Sequence, residues 1–516
     1  MLSCYKNLHL LSKKNPNAPT PTLPCLMLSS PLLIHNSLSR KKEEFHPLKP
    51  PFVGLYVCGP TVYGPPHLGH ARSAITFDIV YRYLKKLGYR VRYVRNITDV
   101  GHLENDSDEG EDKILKRAKV EQLEPMEIVQ LYMNKYHGEM DKLNILRPGI
   151  EPRATGHIPE QIKLIEKILS QGFAYCVNGS VYFDVIKYSQ HHPYGILSGR
   201  KLDELLSGDE ERELEGQKEK RNPVDFALWK KANPEHIMRW DSPWGEGFPG
   251  WHLECSVMST KYLGLPFDIH GGGMDLLFPH HECEISQSQA GSDTAPVKYW
   301  MHNNMITING QKMGKSLGNA IGLEEFFSGK HPLLERSYPP MTIRFFILQA
   351  HYRSTLDFSN AALIASEKGL KKLLQAKKLI VQINPSQKST RDIKKWLDEC
   401  YLVMNDDFNT AQLIACLFSA ASWIYSSAEN KETFTSADLI LLKNSFELFF
   451  TEILGLKEET EPTNDKYLDG LMSLIIELRN NARKNKDYAT SDAIREKMKE
   501  LSIQLEDGKE GTRWVL

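Results

Sequence analysis

The sequence predicts an α/β fold: a Rossmann-like, doubly wound parallel sheet followed by an α-helical bundle and a small C-terminal module. Residues 54–97 read as a strand, a Gly- and Pro-rich loop, a helix and a second strand, and the loop opens onto the helix N-terminus. After Arg336 the strand signals end and long helical patterns follow. The first unit is therefore half of a doubly wound sheet, a kind that commonly binds nucleotides.

The first 42 residues are predicted to be an N-terminal tail that is partly disordered. They contain no Asp or Glu, but four prolines between residues 15 and 24 oppose the amphipathic helix of an organelle transit peptide. For residues 1–26 we therefore prefer a disordered tail or an overlong start over a targeting segment. Residues 28–42 read as the lead-in to the first strand.

The α/β domain is expected over residues 43–335. Its interior holds a connective segment at about 145–225, with a helix, a strand pair near residues 174–184 and a run of charges. Residues 101–112 form an acidic loop that lacks the spacing of a calcium site, which favours a solvated surface loop. The helical bundle is expected over residues 336–458 and the terminal module over 459–516.

Composition excludes several classes of protein. The chain has 516 residues, and 64 Lys and Arg balance 65 Asp and Glu to a formal net charge of -1, which excludes a disordered chain and a histone-like polycation. No apolar run reaches the ~20 residues of a membrane-spanning helix, so we expect no membrane association. The eight cysteines are dispersed and form no CxxC knuckle, which indicates a reducing, cytoplasmic location.

Two short motifs have the chemistry of phosphate binding. His67 and His70 stand three apart at the start of a predicted helix, on one face beside exposed backbone N–H groups, although such pairs also occur by chance. Lys312 and Lys315 lie in a Gly-rich loop that could close over a triphosphate and stabilise charge on departing pyrophosphate. An exposed basic turn is the alternative for the lysine loop.

A third set of residues has the donor atoms of a metal site. Cys58 follows the first strand of the sheet, where open α/β sheets place ligands, and Cys255 lies far along the chain. His280 and Glu284 are four apart and share a helical face. Spacing alone does not bring these four together, and rival ligands stand next to them at residues 281–283.

Several stretches together form a specific pattern: Leu55–Tyr63, Val94–Asp99, Gly250–Ser256, Phe267–Gly273, Phe278–Glu282 and the Lys312 loop. From about Phe45 to the C-terminus, the chain resembles the cysteinyl-tRNA synthetases, a family of class I aminoacyl-tRNA synthetases. The resemblance implies a cysteine–tRNA ligase that activates L-cysteine with ATP to cysteinyl-adenylate and pyrophosphate. The cysteinyl group would then pass to the 3′-terminal adenosine of tRNA(Cys). The expected partners are tRNA(Cys), L-cysteine and ATP with Mg²⁺, and we expect a monomer.

The same resemblance assigns residues to roles. It implies one zinc ion per chain, which would select the substrate thiol because zinc accepts a thiolate far better than a serine hydroxyl. The large discrimination expected from metal coordination would make an editing domain unnecessary. The implied residues are Cys58, Cys255, His280 and Glu284 for zinc; His67, His70, Lys312 and Lys315 for catalysis; Gly272 and Asp275, with His67, His70 and Lys315, for ATP; Gly59, Thr98, Trp251 and His252 for the substrate; and Arg483, Asp492 and Asp507, in an anticodon-binding module, for tRNA.

Two features depart from the family pattern. Gly314 stands in the lysine loop where the family usually has Ser, and this change is expected to alter the dynamics of the loop rather than abolish activity. The acidic insertion after Asp99 separates stretches that adjoin in shorter family members, and the sequence assigns it no role.

Three other functions are disfavoured. A ligase that joins cysteine to an amino sugar would lack the anticodon-binding module, whereas this chain continues to residue 516. A non-catalytic zinc- and RNA-binding paralogue would have lost His67, His70 or the lysine pair, and all are present. Specificity for methionine is disfavoured because the knuckle cysteines are missing.

Overall fold

The computed structural model describes most of the chain, and its contacts divide the chain after Lys457 into two units. The described residues are 30–103, 111–206, 219–234, 236–314, 317–459, 465–501, 503–508 and 511–515.

Strands and helices alternate through most of the first unit, and helices predominate near its end. In chain order the elements are β1 (Leu33–Asn36), β2 (Lys41–Glu44), β3 (Phe52–Val57), α1 (Leu68–Lys86), β4 (Arg90–Arg95), α2 (Lys113–Glu121), α3 (Pro125–Lys142), α4 (Ile158–Ser170), β5 (Ala174–Val177), β6 (Ser180–Phe183), α5 (Val185–Ser189), α6 (Leu202–Leu206), β7 (Phe226–Lys231), β8 (Gly247–Pro249), α7 (Leu253–Leu263), β9 (Phe267–Gly273), α8 (Glu282–Ser292), β10 (Val297–Asn303), β11 (Ile306–Ile308), β12 (Gln311–Lys312), α9 (Leu323–Ser328), α10 (Pro340–Leu348), β13 (Leu356–Phe358), α11 (Asn360–Leu379), α12 (Ile393–Asn405), α13 (Thr410–Ala428) and α14 (Ser436–Glu447).

The central sheet is parallel, with strand order β10-β9-β3-β4. Strand β3 reads FVGLYV, and its last three residues are buried, as expected of a strand covered on both faces. Helix α1 connects β3 to β4, so the strand–loop–helix–strand unit predicted from the sequence is confirmed. The carboxyl ends of all four strands meet at one edge of the sheet.

The prediction of an N-terminal tail over residues 1–42 is wrong for residues 33–42. Strands β1 and β2 pair as an antiparallel hairpin. The hairpin is held against β10, because the amide of Asn36 donates to the carbonyl of Lys298 at 3.0 Å and the N–H of Ser37 to that of Trp300 at 2.8 Å. Ile34 is fully buried there, so its contribution is hydrophobic as well as polar. The prediction for residues 1–26 lies outside the described residues.

Other expected boundaries also shift. The strand pair near 174–184 forms, as β5 and β6, but its antiparallel sheet continues through β7 to β8, so the inserted segment extends past residue 225. The helical segment that follows the acidic loop breaks at Gln122, whose φ of 55° is left-handed, and resumes at Pro125. Strand β13 pairs with β11 and therefore places part of the α/β unit beyond residue 335, in a region where only helices were expected.

Helices α10–α14 pack around the hydrophobic core in the part of the chain that follows the central sheet. Helix α13 alone, among the residues described, is long and apolar enough to cross a membrane by length and composition. Its side chains Leu413, Leu417, Ala421 and Ile424 are fully buried between α11 and α12. It therefore packs as a core helix.

The second unit begins at Glu458, next to the boundary at 459 expected from the sequence. It contains α15 (Asp465–Lys484), α16 (Tyr488–Glu500) and a hairpin of β14 (Gln504–Gly508) and β15 (Gly511–Val515). Its small core consists of Met472, Met498, Ile503 and Leu505.

Candidate active site and metal centre

Four donor side chains converge at the carboxyl edge of the central sheet. Cys58 follows β3, Cys255 lies in α7, and His280 and Glu284 come from a π-type turn and from α8. The Cys58 and Cys255 sulfurs are 3.6 Å apart, Cys58 Sγ is 3.7 Å from Glu284 Oε1, and His280 Nε2 is 3.3 Å from the same oxygen. Tetrahedral zinc with bonds of ~2.0–2.3 Å has donor atoms ~3.3–3.8 Å apart. These separations fit a zinc ion.

A second set of donors shares two members with the first. His270 Nε2 and His281 Nε2 lie 3.4 and 3.3 Å from Cys58 Sγ, and with Glu284 they form an alternative metal-binding group. The first set has two sulfurs where the second has one. Because thiolate and imidazole donors suit zinc, the sulfur-rich set is the better zinc site.

Burial opposes ionisation of the Cys255 thiol, the Glu284 carboxyl and the His281 ring. Desolvation raises the pKa of Cys255 to about 12 and raises the pKa of Glu284 well above its usual range. It likewise lowers the pKa of His281 well below its usual range. A divalent cation would stabilise the thiolate and carboxylate forms, so metal binding here would release protons.

The side chain of His280 is oriented by a contact with a second histidine. Its Nδ1 lies 2.9 Å from Nδ1 of His252, and its Nε2 faces Glu284. A partner on one ring nitrogen fixes the tautomer and aims the other nitrogen at a metal. His252, expected to border the substrate, therefore supports a candidate ligand.

A cavity of about 390 Å³ is lined by Cys58 of the donor cluster and by residues of both the histidine motif and the lysine loop. Thr98, His252 and Gly272 lie buried behind its wall rather than in it. A side chain at Gly272 would come within 2.8 Å of the His281 ring, so this glycine lets the histidine pack there. The predicted site residues that line the cavity are Cys58, Gly59, His67, His70, Trp251, Asp275 and Lys312.

The two histidines of the first motif form the start of α1. The N–H of Gly69 donates to Nδ1 of His67 at 3.2 Å, and the N–H of His67 donates to Nδ1 of His70 at 3.1 Å. The two rings are stacked with centroids 3.8 Å apart. Both imidazoles are thus held at a helix N-terminus, where the helix dipole favours an anion.

The segment that follows the lysine loop is hydrogen-bonded to the histidine motif. His67 pairs with Gly322 in an isolated antiparallel bridge, and the N–H of Leu323 donates to the carbonyl of Pro66 at 2.9 Å. Lys312 ends strand β12 and is exposed. Lys315 lies outside the described residues.

Asn96 and Glu254 are site residues that the sequence did not reveal. The N–H of Gly59 donates to Asn96 Oδ1 at 2.8 Å, and a side chain at Gly59 would clash with the Asn96 carbonyl at 1.6 Å. Asn96 and Thr98 both donate to Glu254 Oε1. Burial, reinforced by the charge of Asp99, raises the pKa of Glu254 well above its usual range despite the bond from Thr98. These residues fix the loop after β3.

The chain is similar to known proteins over nearly its whole length. Residues 44–368 match the family model for tRNA synthetases class I (C) catalytic domain, and residues 401–457 match the DALR domain. The cysteine–tRNA ligase of Phocaeicola vulgatus is 59% identical over 95% of this chain and 100% of its own length. That of Porphyromonas gingivalis is 57% identical over 95% of this chain and 100% of its own length. The chain belongs to the cysteine–tRNA ligase family.

Solved structures of other class I synthetases share the fold. A ternary complex of an Agrobacterium radiobacter LeuRS has a TM-score of 0.55 at 11% identity, covering 80% of this chain and 85% of that one. A Mycobacterium tuberculosis methionyl-tRNA synthetase with methionyl-adenylate has a TM-score of 0.52 at 13% identity, covering 78% and 89%. The Rossmann-like fold predicted from the sequence is thereby confirmed.

The residues expected to contact tRNA lie in the second unit. Arg483 is in the last turn of α15 and Asp492 is on α16, and both are exposed. Asp507 lies in β14, and its side chain is outside the described residues. The role of these three residues as anticodon contacts stays a prediction.

Proposed function

We propose that this chain joins L-cysteine to tRNA(Cys) in two steps, with a zinc ion selecting the substrate thiol. The observation that carries the proposal is one cavity lined both by Cys58 of the donor cluster and by His67 and His70 at the start of α1. A cysteine bound beside Cys58 would share this cavity with a nucleotide bound at His67 and His70. Membership of the cysteine–tRNA ligase family supports the same reaction.

One zinc ion per chain would be held by Cys58, Cys255, His280 and Glu284. When bound, it supplies a soft Lewis acid that takes up a thiolate and discriminates against a hydroxyl. Around it the protein contributes orientation, because His252 aims His280 and burial excludes water from Glu284. The tight loop at Gly59 leaves room for the amino acid beside Cys58.

In the first step a carboxylate oxygen of cysteine attacks the α-phosphorus of ATP, and the bond to pyrophosphate breaks. His67 and His70 would bind the phosphates at the start of α1, while Lys312 and Lys315 would stabilise the charge on departing pyrophosphate, which leaves with Mg²⁺. Asp275, which lines the cavity, and Gly272 would lie near the adenosine. The reaction needs positioning and charge stabilisation rather than a protein nucleophile.

In the second step a hydroxyl of the terminal adenosine of the tRNA attacks the carbonyl carbon, and AMP leaves. Arg483, Asp492 and Asp507 would read anticodon bases through hydrogen bonds from the second unit. We propose that the protein acts as a monomer in the cytoplasm, where tRNA, ATP and cysteine are available.

The deciding experiment is cysteine-dependent ATP–pyrophosphate exchange, with zinc measured on the same sample and serine as competitor. Exchange with cysteine and not serine, one zinc per chain and charging of tRNA(Cys) are expected. Exchange without charging would instead indicate transfer to another acceptor, such as an amino sugar. Zinc without exchange would indicate a binding protein.

Substitution of single histidines distinguishes the two possible donor sets. His280→Gln should remove zinc and cysteine-dependent exchange together, because only the first set uses His280. His270→Gln, equally buried, should retain one zinc per chain. Loss of zinc from His270→Gln alone would assign the metal to the second set.

A further inference from the structure

The acidic insertion after Asp99 brings a histidine into the cavity. The N–H of Gly101 donates to Asp112 Oδ2 at 3.0 Å, and the N–H of Lys113 donates to the carbonyl of His102 at 3.0 Å. Leu103 and Asp112 pair in an antiparallel bridge. The described ends of the insertion are thus fastened together, which fixes the position of His102.

The His102 ring lies flat on the indole of Trp251. The two centroids are 3.9 Å apart with an interplanar angle of 11°, and both side chains line the cavity. The indole in turn lies 4.6 Å from the ring of His280, a proposed zinc ligand. Trp251 is therefore held between the metal cluster and the histidine of the insertion.

Two hydrogen bonds fix the orientation of the His102 ring. Lys113 Nζ lies 2.8 Å from Nε2, and Thr61 Oγ1 lies 2.6 Å from Nδ1. An ammonium group only donates, so Nε2 accepts and the ring hydrogen of a neutral imidazole is on Nδ1, where it is donated to Thr61. Lys113 is the first residue of α2, directly after the insertion, and Thr61 lies in the loop after β3, so the ring is held at both of its nitrogens.

We propose that His102 is a positioning residue of the amino-acid pocket: the insertion supplies it to hold Trp251 as a fixed wall beside the metal cluster. The proposal rests on the proposed function, because it treats the cavity next to His280 as the cysteine site. Because the indole of Trp251 is stacked on His102, it is held in one orientation relative to Cys58. His102, at the described start of an insertion to which the sequence assigns no role, thereby becomes part of the substrate site.

The indole of Trp251 would contact cysteine equally in the bound state and in the transition state. Loss of its fixed position should therefore weaken cysteine binding and leave the rate of the chemical step unchanged. His102→Ala should therefore raise the KM for cysteine about tenfold in ATP–pyrophosphate exchange, with kcat within about threefold of the parent. His102→Phe keeps an aromatic face and should stay within about threefold of the parent KM. His46→Ala, on the exposed side chain of a histidine remote from the cavity, is the matched control and should change neither constant.

His102→Asn tests the alternative that the bond to Thr61 matters instead of the stacking, because Asn can bond but cannot stack. A raised KM for Asn with a nearly normal KM for Phe supports the proposal, even if the Ala variant fails to fold. The reverse order, an unchanged KM in His102→Ala, or a fall in kcat alone would overturn it. Zinc content and melting temperature of each variant identify loss through unfolding. If the parent itself shows no cysteine-dependent exchange, the proposed function fails, whereas exchange that is insensitive to His102 overturns only this inference.

Discussion

The guanidinium of Arg72 donates from Nε to the backbone carbonyl of Asn304 at 2.9 Å. Arg72 is two residues past His70 on α1, and Asn304 connects β10 to β11, the strand that leads to the lysine loop. Its Nη2 also donates to the carbonyls of His351 and Tyr352 at 3.3 Å, and it contacts that of Ser354. The buried Arg72 side chain therefore links helix α1, which carries the histidine motif, to the segments that precede β11 and β13. These two strands pair beside the lysine loop.

Arg72→Lys is expected to lower kcat for cysteine activation about tenfold or more while leaving the KM for cysteine nearly unchanged. An ammonium cannot replace a planar fork that bonds several carbonyls, so the two motifs should lose their fixed spacing although the charge remains. Steady-state exchange kinetics with zinc content measured in parallel will test this. A raised cysteine KM with normal kcat would show that Arg72 acts on the amino-acid pocket instead.

Asn319 fastens the base of the lysine loop. Its Oδ1 accepts the N–H of Gly314 at 2.8 Å, and its Nδ2 donates to the carbonyl of Lys312 at 3.1 Å. Asn319→Ala removes both bonds and should reduce kcat for adenylation about tenfold, because the loop must then be ordered during the reaction. Asn134→Ala, at an exposed position on α3, is the control, and single-turnover adenylate formation is the measurement. Equal rates for the two variants would contradict a role for Asn319 in the loop.

The sequence predicted the parts of the site that consist of local patterns. Strand β3, helix α1 and the His67–His70 pair follow from apolar periodicity and spacing, and the metal donors were named from the family resemblance. All four of those donors meet in the structure. Periodicity predicts the order of the elements along the chain and which face of each element is buried.

Long-range polar contacts could not be predicted in this way. Asn96 and Glu254 are 158 positions apart, and the buried position of Glu254 depends on the packing of α7 against β3 and β4. The acid-poor, Pro-rich composition of the first 42 residues predicts a tail, whereas Lys41–Glu44 pairs with the strand that carries buried Ile34 and Asn36. Strand β13, three residues long, has too little periodicity to distinguish it from the surrounding helices.

Arg344 and Asp78 form a fully buried ion pair between α10 and α1. Arg344 also donates to the carbonyls of Leu454 at 2.7 Å and Leu143 at 2.9 Å. Arg344→Met leaves the carboxylate and two carbonyls without this partner, so it should reduce the free energy of unfolding by about 3 kcal/mol or more. The exposed Arg147 of the pair with Asp141 is the control, and Arg147→Met should cost less than about 1 kcal/mol in the same urea titration. Similar losses in both variants would contradict the special role of the buried pair.

Cys58 belongs to both possible donor sets, so its substitution tests metal dependence without assuming which set is right. Cys58→Ser should reduce zinc to well below one per chain and cysteine-dependent exchange at least about a hundredfold, because a hydroxyl is a poor zinc ligand. Cys176→Ser changes an exposed cysteine on β5 and should retain both zinc and activity. Removing zinc from the parent with a chelator should reproduce the Cys58→Ser defect, and added zinc should restore the parent but not the variant. Full exchange by Cys58→Ser lacking zinc would refute a metal role in selecting cysteine.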